Sequence, residues 1–266
     1  VLQDEGITRN RNPIAVEHRT LDDLTGLLYE PLVRDLRGAE ASIPWLARSI
    51  EVEETGPLTV TVQLRETPWH DGERVTAEDV TFTYEFLRDT SLGGFETPVP
   101  TPWQRGRVSI VNSATALSDD GVEIEFATRN EELVNRALNI PILPAHIWRD
   151  RSEKADLAGL DVAGQTTRAL IDSNEDAIGS GPVRLDEACV DESISFVTFP
   201  DHFLYTDDTE GIPNQFIDEA PFERIEFTVV PSHDTAVELL ANDEADVSAD
   251  GLSADVVPRI ARTDDI

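Results

Sequence analysis

The chain has 266 residues, with 53 acidic against 21 basic side chains and a formal net charge of −32. That sign excludes nucleic acid, whose phosphates it would repel, and an anionic bilayer surface, and no run approaches the ~20 apolar residues of a membrane span. The acids are dispersed as pairs and triplets, among them Asp22-Asp23, Glu53-Glu54 and Asp207-Asp208, between apolar-periodic segments; this is the pattern of a solvated, folded surface.

Taken in chain order, residues 20–29 are predicted helical, with Thr20 as cap and Asp23 as its third-residue partner. Residues 58–65 alternate as a strand, with Leu58, Val60, Val62 and Leu64 on one face and Thr59, Thr61, Gln63 and Arg65 on the other. Asp71-Gly72 supplies a turn. Thr76 then caps a helix over 77–88, and Asp79 stands where a capping box returns its bond. Val80, Tyr84 and Leu87 share one face of that helix, flanked by Phe82 and Phe86. Residues 91–107, rich in Gly and Pro, read as a surface loop. A strand follows over 121–128 with Val122, Ile124 and Phe126 inward, then a short helix over 131–138 with acids in its first turn. Residues 150–176 are polar and mix short helix with loop. Strands are predicted at 193–199 and 224–230, and a helix at 235–241.

Several of these stretches carry a resemblance. Leu64-Arg65, Trp69-His70-Asp71-Gly72, Val75-Thr76-Ala77, Asp79-Val80 and Phe82-Thr83 stand in the register of the signature of the family 5 extracellular solute-binding proteins, the peptide-binding receptors of ABC importers. Tyr29-Glu30-Pro31-Leu32-Val33, Pro44-Trp45-Leu46-Ala47-Arg48-Ser49-Ile50, Ile142-Leu143-Pro144-Ala145-His146-Ile147-Trp148 and Ile178-Gly179-Ser180-Gly181-Pro182 resemble further segments of that family. Near 241–246 the family's glycine is replaced by Asn242-Asp243, residues that tolerate the left-handed cap conformation.

The resemblance implies an α/β fold of the periplasmic-binding-protein-like class, with mixed sheets and flanking helices. It implies a discontinuous first lobe, 1–49 and 178–266, interrupted by an inserted subdomain, 50–177, with the second lobe of the family missing from this piece. Such a piece is one jaw of a trap and is expected to bind solute weakly or not at all by itself. The implied function is the substrate-binding component of an ABC importer, capturing peptides or similar small solutes outside the cell and delivering them to membrane permease subunits. The alternative is a solute sensor or signalling receptor using the same module. An extracellular, cell-surface location follows, through an N-terminal anchor upstream of Val1; the absence of methionine marks an excised piece.

No chemistry is signalled. The five histidines show no paired metal spacing, a nucleophile elbow is absent, and the lone Cys189 excludes an internal disulfide. No cofactor is expected, and the chain is read as a binder and not as an enzyme. The resemblance instead sets the loop from Asn12-Pro13 on a cleft wall, making Glu17, His18 and Arg19 candidate ligand contacts. It also lets the inserted subdomain lend Phe95 and Trp103 to the rim. The acid excess, with Lys154 the single lysine, reads as salt adaptation: in molar salt the screening length falls to about 3 Å and self-repulsion fades.

Overall fold

A strand that alternates apolar and polar can bury only one face, and the fold is organised around such a strand. In the computed structural model, which describes residues 11–14, 25–35, 42–53, 56–88, 104–151, 174–206, 208–213 and 222–248, Leu58–Leu64 sits second in a four-stranded antiparallel sheet. After the short β1 (Val33–Arg34) and β2 (Ile43–Pro44), the strands of this sheet are β3 (Ala47–Glu53), β4 (Leu58–Leu64), β5 (Val111–Ala116) and β6 (Gly121–Phe126), ordered β3-β4-β6-β5. Val60 pairs with Val52 and Ile124, and Val62 with Ile50 and Val122. Val62, Val122 and Ile124 are fully buried, each contributing roughly 1.5–3 kcal/mol of apolar transfer. On the opposite face Glu51, Thr61, Glu123 and Thr115 form one cross-strand row, in which Thr61 of β4 stands between the two like charges.

Helix α1 (Ala77–Arg88) lies across β5 and β6. Val80, Tyr84 and Leu87 are fully buried, and Phe82 and Phe86 nearly so, because a second layer covers the far side. That layer is the strap 142–145 and the helix that follows it, whose Trp148 meets Phe86 and whose Arg149 covers Phe82; each amide donor of the strap meets a different acceptor. Ile142 donates to the Glu30 carbonyl, Leu143 to Thr83 Oγ1, and Ala145 to Asp79 Oδ1 at 2.7 Å; Pro144 has no amide to satisfy. The two stretches that look independent in sequence are thus halves of one latch. Arg149 pairs with Glu78, and His146 with Asp71, across the same contact.

The cap of α1 departs from the expected box. Asp79 Oδ2 does accept the Thr76 amide at 2.8 Å, but Thr76 Oγ1 donates to that same carboxylate oxygen at 3.0 Å. Asp79, committed also to Ala145, draws both groups of Thr76 onto itself.

Helices α2 (Arg105–Val108), α3 (Glu131–Leu138) and α4 (Ala145–Arg151) follow α1. Then β7 (Val183–Cys189), β8 (Ser193–Thr198) and β9 (Arg224–Thr228) make a three-stranded antiparallel sheet, and α5 (His233–Ala241) closes the described chain. The inner residues of this sheet, Val183, Ile194 and Phe196, pack with Leu28, Tyr29 and Ala177 in a cluster separate from the main core. Helix α5 starts earlier than predicted, because Ser232 caps it. It ends with Asp243 at φ +57°. Beyond it Glu244 donates back to the Leu239 carbonyl at 2.9 Å, a Schellman closure.

Other expectations are corrected. Strand β4 ends at Leu64, and Arg65 is buried, not outward. The described end of the predicted loop 91–107 is the helical turn α2. The strand at 224–230 stops at Thr228. Of the helix at 20–29, residues 25–28 are helical and 20–24 lie outside the described residues.

Candidate functional site

The candidate ligand wall rests on a short buried root, Arg11 to Ile14. Asn12 Oδ1 accepts the Ile14 amide at 3.0 Å, folding the chain over Pro13 in an Asx turn. Asn174, itself at φ +53°, donates its side-chain amide to the Arg11 carbonyl at 2.9 Å and to the Tyr29 hydroxyl at 2.8 Å. Arg11 donates to the Glu175 carbonyl at 3.0 Å, and its pKa is lowered by burial against the opposing pull of Glu175 and Asp176. From the other direction Gln104 donates its amide to the Pro13 carbonyl.

Glu17, His18 and Arg19 follow this root, and Phe95 and Trp103 precede Gln104. All five lie outside the described residues. What the structure brings together is where their loops are anchored: Pro13 and Gln104 are in direct hydrogen-bonded contact. Asn174 and Gln104 had no signal in the sequence and Tyr29 stood out only as a motif residue, since each acts through a partner remote along the chain.

The turn at Trp69-His70-Asp71-Gly72 meets the segment 179–181. Trp69 is fully buried and Gly72 sits at φ +92°. The His70 amide donates to the Gly179 carbonyl at 2.8 Å. Its ring accepts the Gly179 amide at Nδ1 and reaches the Gly181 carbonyl from Nε2, at 3.2 and 3.0 Å. A Cβ on Gly179 would fall 1.8 Å from the Leu28 carbonyl oxygen, and one on Gly181 2.0 Å from that of Leu27. Two glycines are therefore required for this backbone-on-backbone approach. Burial lowers the His70 pKa to about 4, with the bond to Gly181 opposing.

Two further buried polar groups tie the late chain to the early chain. Glu30, fully buried, accepts from Arg34 at 2.6 Å and from His202 Nε2 at 3.1 Å. Desolvation also lowers the pKa of His202. Arg65 donates to the carbonyls of Trp45, Asp208 and Glu210, with its guanidinium 5.3 Å from the Phe203 ring centre. These arrangements hold segments in place. Both nitrogens of His70 and of His202 are engaged within the protein, so neither ring offers a base to a substrate. Among the described residues no group of three or more His, Cys, Asp or Glu side chains could hold a metal. An open cleft of about 520 Å³ at the end of β4 is lined by Arg48, Arg65 and Arg74, but Arg48 and Arg65 pair with Asp208 and Arg74 with Glu66.

The model for bacterial extracellular solute-binding proteins, family 5 middle, matches residues 41–266. The chain belongs to this family. Family 5 is a family of solute-binding proteins. Over 240 residues the chain is 24% identical to a Brucella ovis protein provisionally named an ABC transporter peptide-binding protein, covering 87% of this chain and 41% of that one. Among solved structures, the oligopeptide-binding protein AppA from Bacillus subtilis, in complex with a nonapeptide, superposes with a TM-score of 0.71 at 21% identity. That match covers 99% of this chain and 45% of AppA. NikZ from Campylobacter jejuni, in complex with Ni(L-His), gives 0.65 at 20% identity, covering 88% of this chain and 40% of NikZ. These structural likenesses establish a family 5 periplasmic-binding-protein fold. The chain spans less than half the length of these relatives. No helix among the described residues is long and apolar enough to cross a membrane.

Proposed function

We propose that this chain is part of the substrate-binding receptor of an ABC importer, capturing peptides or similar small solutes outside the cell and handing them to membrane permease subunits. The observation that carries this reading is the family match over residues 41–266. The mechanism is capture without chemistry: lobes close on the solute, exclude water and favour the closed state through contacts made only there. The Bacillus relative holds a nonapeptide and the Campylobacter relative Ni(L-His), so this frame serves more than one solute class in those proteins. Peptide is the class proposed here, on the name of the Brucella relative.

Glu17, His18 and Arg19 line one side of the solute and Phe95 and Trp103 the rim. The contact between Pro13 and Gln104 supports this pairing, because it roots the two loops side by side. Residues 1–49 and 178–266 form a discontinuous lobe around an inserted 50–177. The cluster of Leu28 and Tyr29 with Val183, Ile194 and Phe196 supports that division. The receptor is cell-surface anchored, and the organism is salt-adapted, of haloarchaeal type. The −32 charge supports the latter, and an unfolding midpoint indifferent to KCl between about 0.1 and 3 M would overturn it.

Capture is tested by equilibrium dialysis of the full-length protein against a defined peptide mixture, with recovery of the bound fraction. Retained peptide of unchanged mass supports the reading; cleaved or modified peptide contradicts it.

A further inference from the structure

His70 and His202 share one arrangement. In each ring Nδ1 accepts a backbone amide, from Gly179 at 3.2 Å and from Leu204 at 3.2 Å, which places the ring proton on Nε2. Each Nε2–H then crosses to a sequence-distant acceptor, the Gly181 carbonyl at 3.0 Å and Glu30 Oε1 at 3.1 Å. Phe199 joins the two sites. Its ring stands edge-on to His70 with centroids 4.9 Å apart, and its carbonyl accepts the His202 amide at 3.1 Å.

We propose that His70 and His202 are the two pins of an acid-sensitive seam, holding the return segment 178–204 against the early chain while neutral and releasing it when either ring takes up a proton. An imidazolium has donors at both nitrogens and no acceptor. Protonated at Nδ1, His70 would face the Gly179 amide donor to donor across the seam, and His202 would face the Leu204 amide within its own turn. The Gly179 amide cannot turn away, because Gly179 and Gly181 are wedged against the Leu28 and Leu27 carbonyls. At His70 the clash is relieved by separating the segments; at His202 it is relieved by opening the 202–204 turn, which draws the ring away from Glu30.

The charged surroundings set the direction. The groups facing His70 are His202, Glu30, Arg184 and the adjacent Asp71. Those facing His202 are Glu30, Arg34 and Arg65, with the Tyr205 ring at 5.9 Å. The three arginines and the second histidine oppose a new positive charge. Glu30 favours one, but Arg34 already occupies its other oxygen at 2.6 Å. Burial of both rings acts with the arginines. The inference concerns the packing of the chain itself and stands apart from solute capture.

The test uses the full-length protein, labelled with ¹⁵N, in molar KCl. Ring ¹⁵N spectra assign tautomers, and hydrogen exchange gives protection factors for the Gly179 and Leu204 amides, with Val62 in β4 as reference. Both rings should be Nε2–H at pH 7.5. Between pH 7 and 4.5 protection at Gly179 and Leu204 should fall about tenfold or more while Val62 holds. In His70→Gln the fall at Gly179 should flatten; if that variant does not fold, the wild-type measurement decides alone. An Nδ1–H tautomer in either ring at pH 7.5, constant protection down to pH 4.5, or an equal fall at Val62 would each overturn the seam.

Discussion

Gln104 donates its side-chain amide to the carbonyl of Pro13, and both groups are sealed from solvent. The bond joins the base of the loop that leads to Glu17 with the base of the one that ends at Trp103. Replacing Gln104 by Ala leaves a buried carbonyl unpaired, which costs about 2 kcal/mol. Urea unfolding in high salt should show that loss, and solute affinity of the intact receptor should fall with it. Unchanged affinity alongside reduced stability would separate the two loops from the solute.

Gly179→Ala places a methyl carbon 1.8 Å from the Leu28 carbonyl oxygen. Backbone must move on one side or the other, so the expected loss is about 3 kcal/mol or more. Gly26→Ala, where nothing lies within 4 Å of the added carbon, is the control and should be neutral or slightly stabilising. Comparable effects in the two variants would mean that the close approach of the return segment is not real.

Arg65→Lys keeps the charge but loses the fork that reaches the carbonyls of Trp45, Asp208 and Glu210. A lysine ammonium satisfies fewer of them and leaves the Phe203 face. The expected cost is about 3 kcal/mol. Susceptibility to proteolysis near 208–213 should rise in parallel. A lysine variant as stable as wild type would assign the segment's position to other contacts.

Acid should weaken the fold through its histidines before most carboxylates titrate. His70 has a pKa of about 4 folded against 6.5 free. Between those values the unfolded chain binds the extra proton, so stability rises with pH across the window. The contribution is complete above pH 6.5 and lost as pH falls through 4. The difference corresponds to at most about 3 kcal/mol, and His202 acts in the same sense. Unfolding free energies at pH 7.5 and 5 in constant salt should differ accordingly. His70→Gln should reduce the difference, and a slope untouched by that change would remove His70 from the account.

Much of the fold is legible where one element decides its own burial. Strand β4 alternates because one face lies in the main core, and Glu131–Leu138 and the Asp243 cap follow from local chemistry. The strands that escape notice are those whose pairing, not pattern, makes them strands. Val111–Ala116 is nearly all small and polar and is held by its register with β6. Val183–Cys189 loses its alternation at an irregularity between Leu185 and Glu187. Arg65 reads as a surface residue because the carbonyls that bury it, at 208 and 210, lie far along the chain. The same distance hides Asn174 and Gln104, whereas His70 and Gly179 stood out as motif residues without revealing that they touch.

Native mass spectrometry of the intact receptor, after exposure in high salt to a mixture of peptides, sugars and metal chelates, tests the central claim most directly. The account predicts one non-covalent solute per protein molecule, retained on washing and released with its mass unaltered. A folded protein that retains no solute, or one that returns a solute chemically changed, would contradict it.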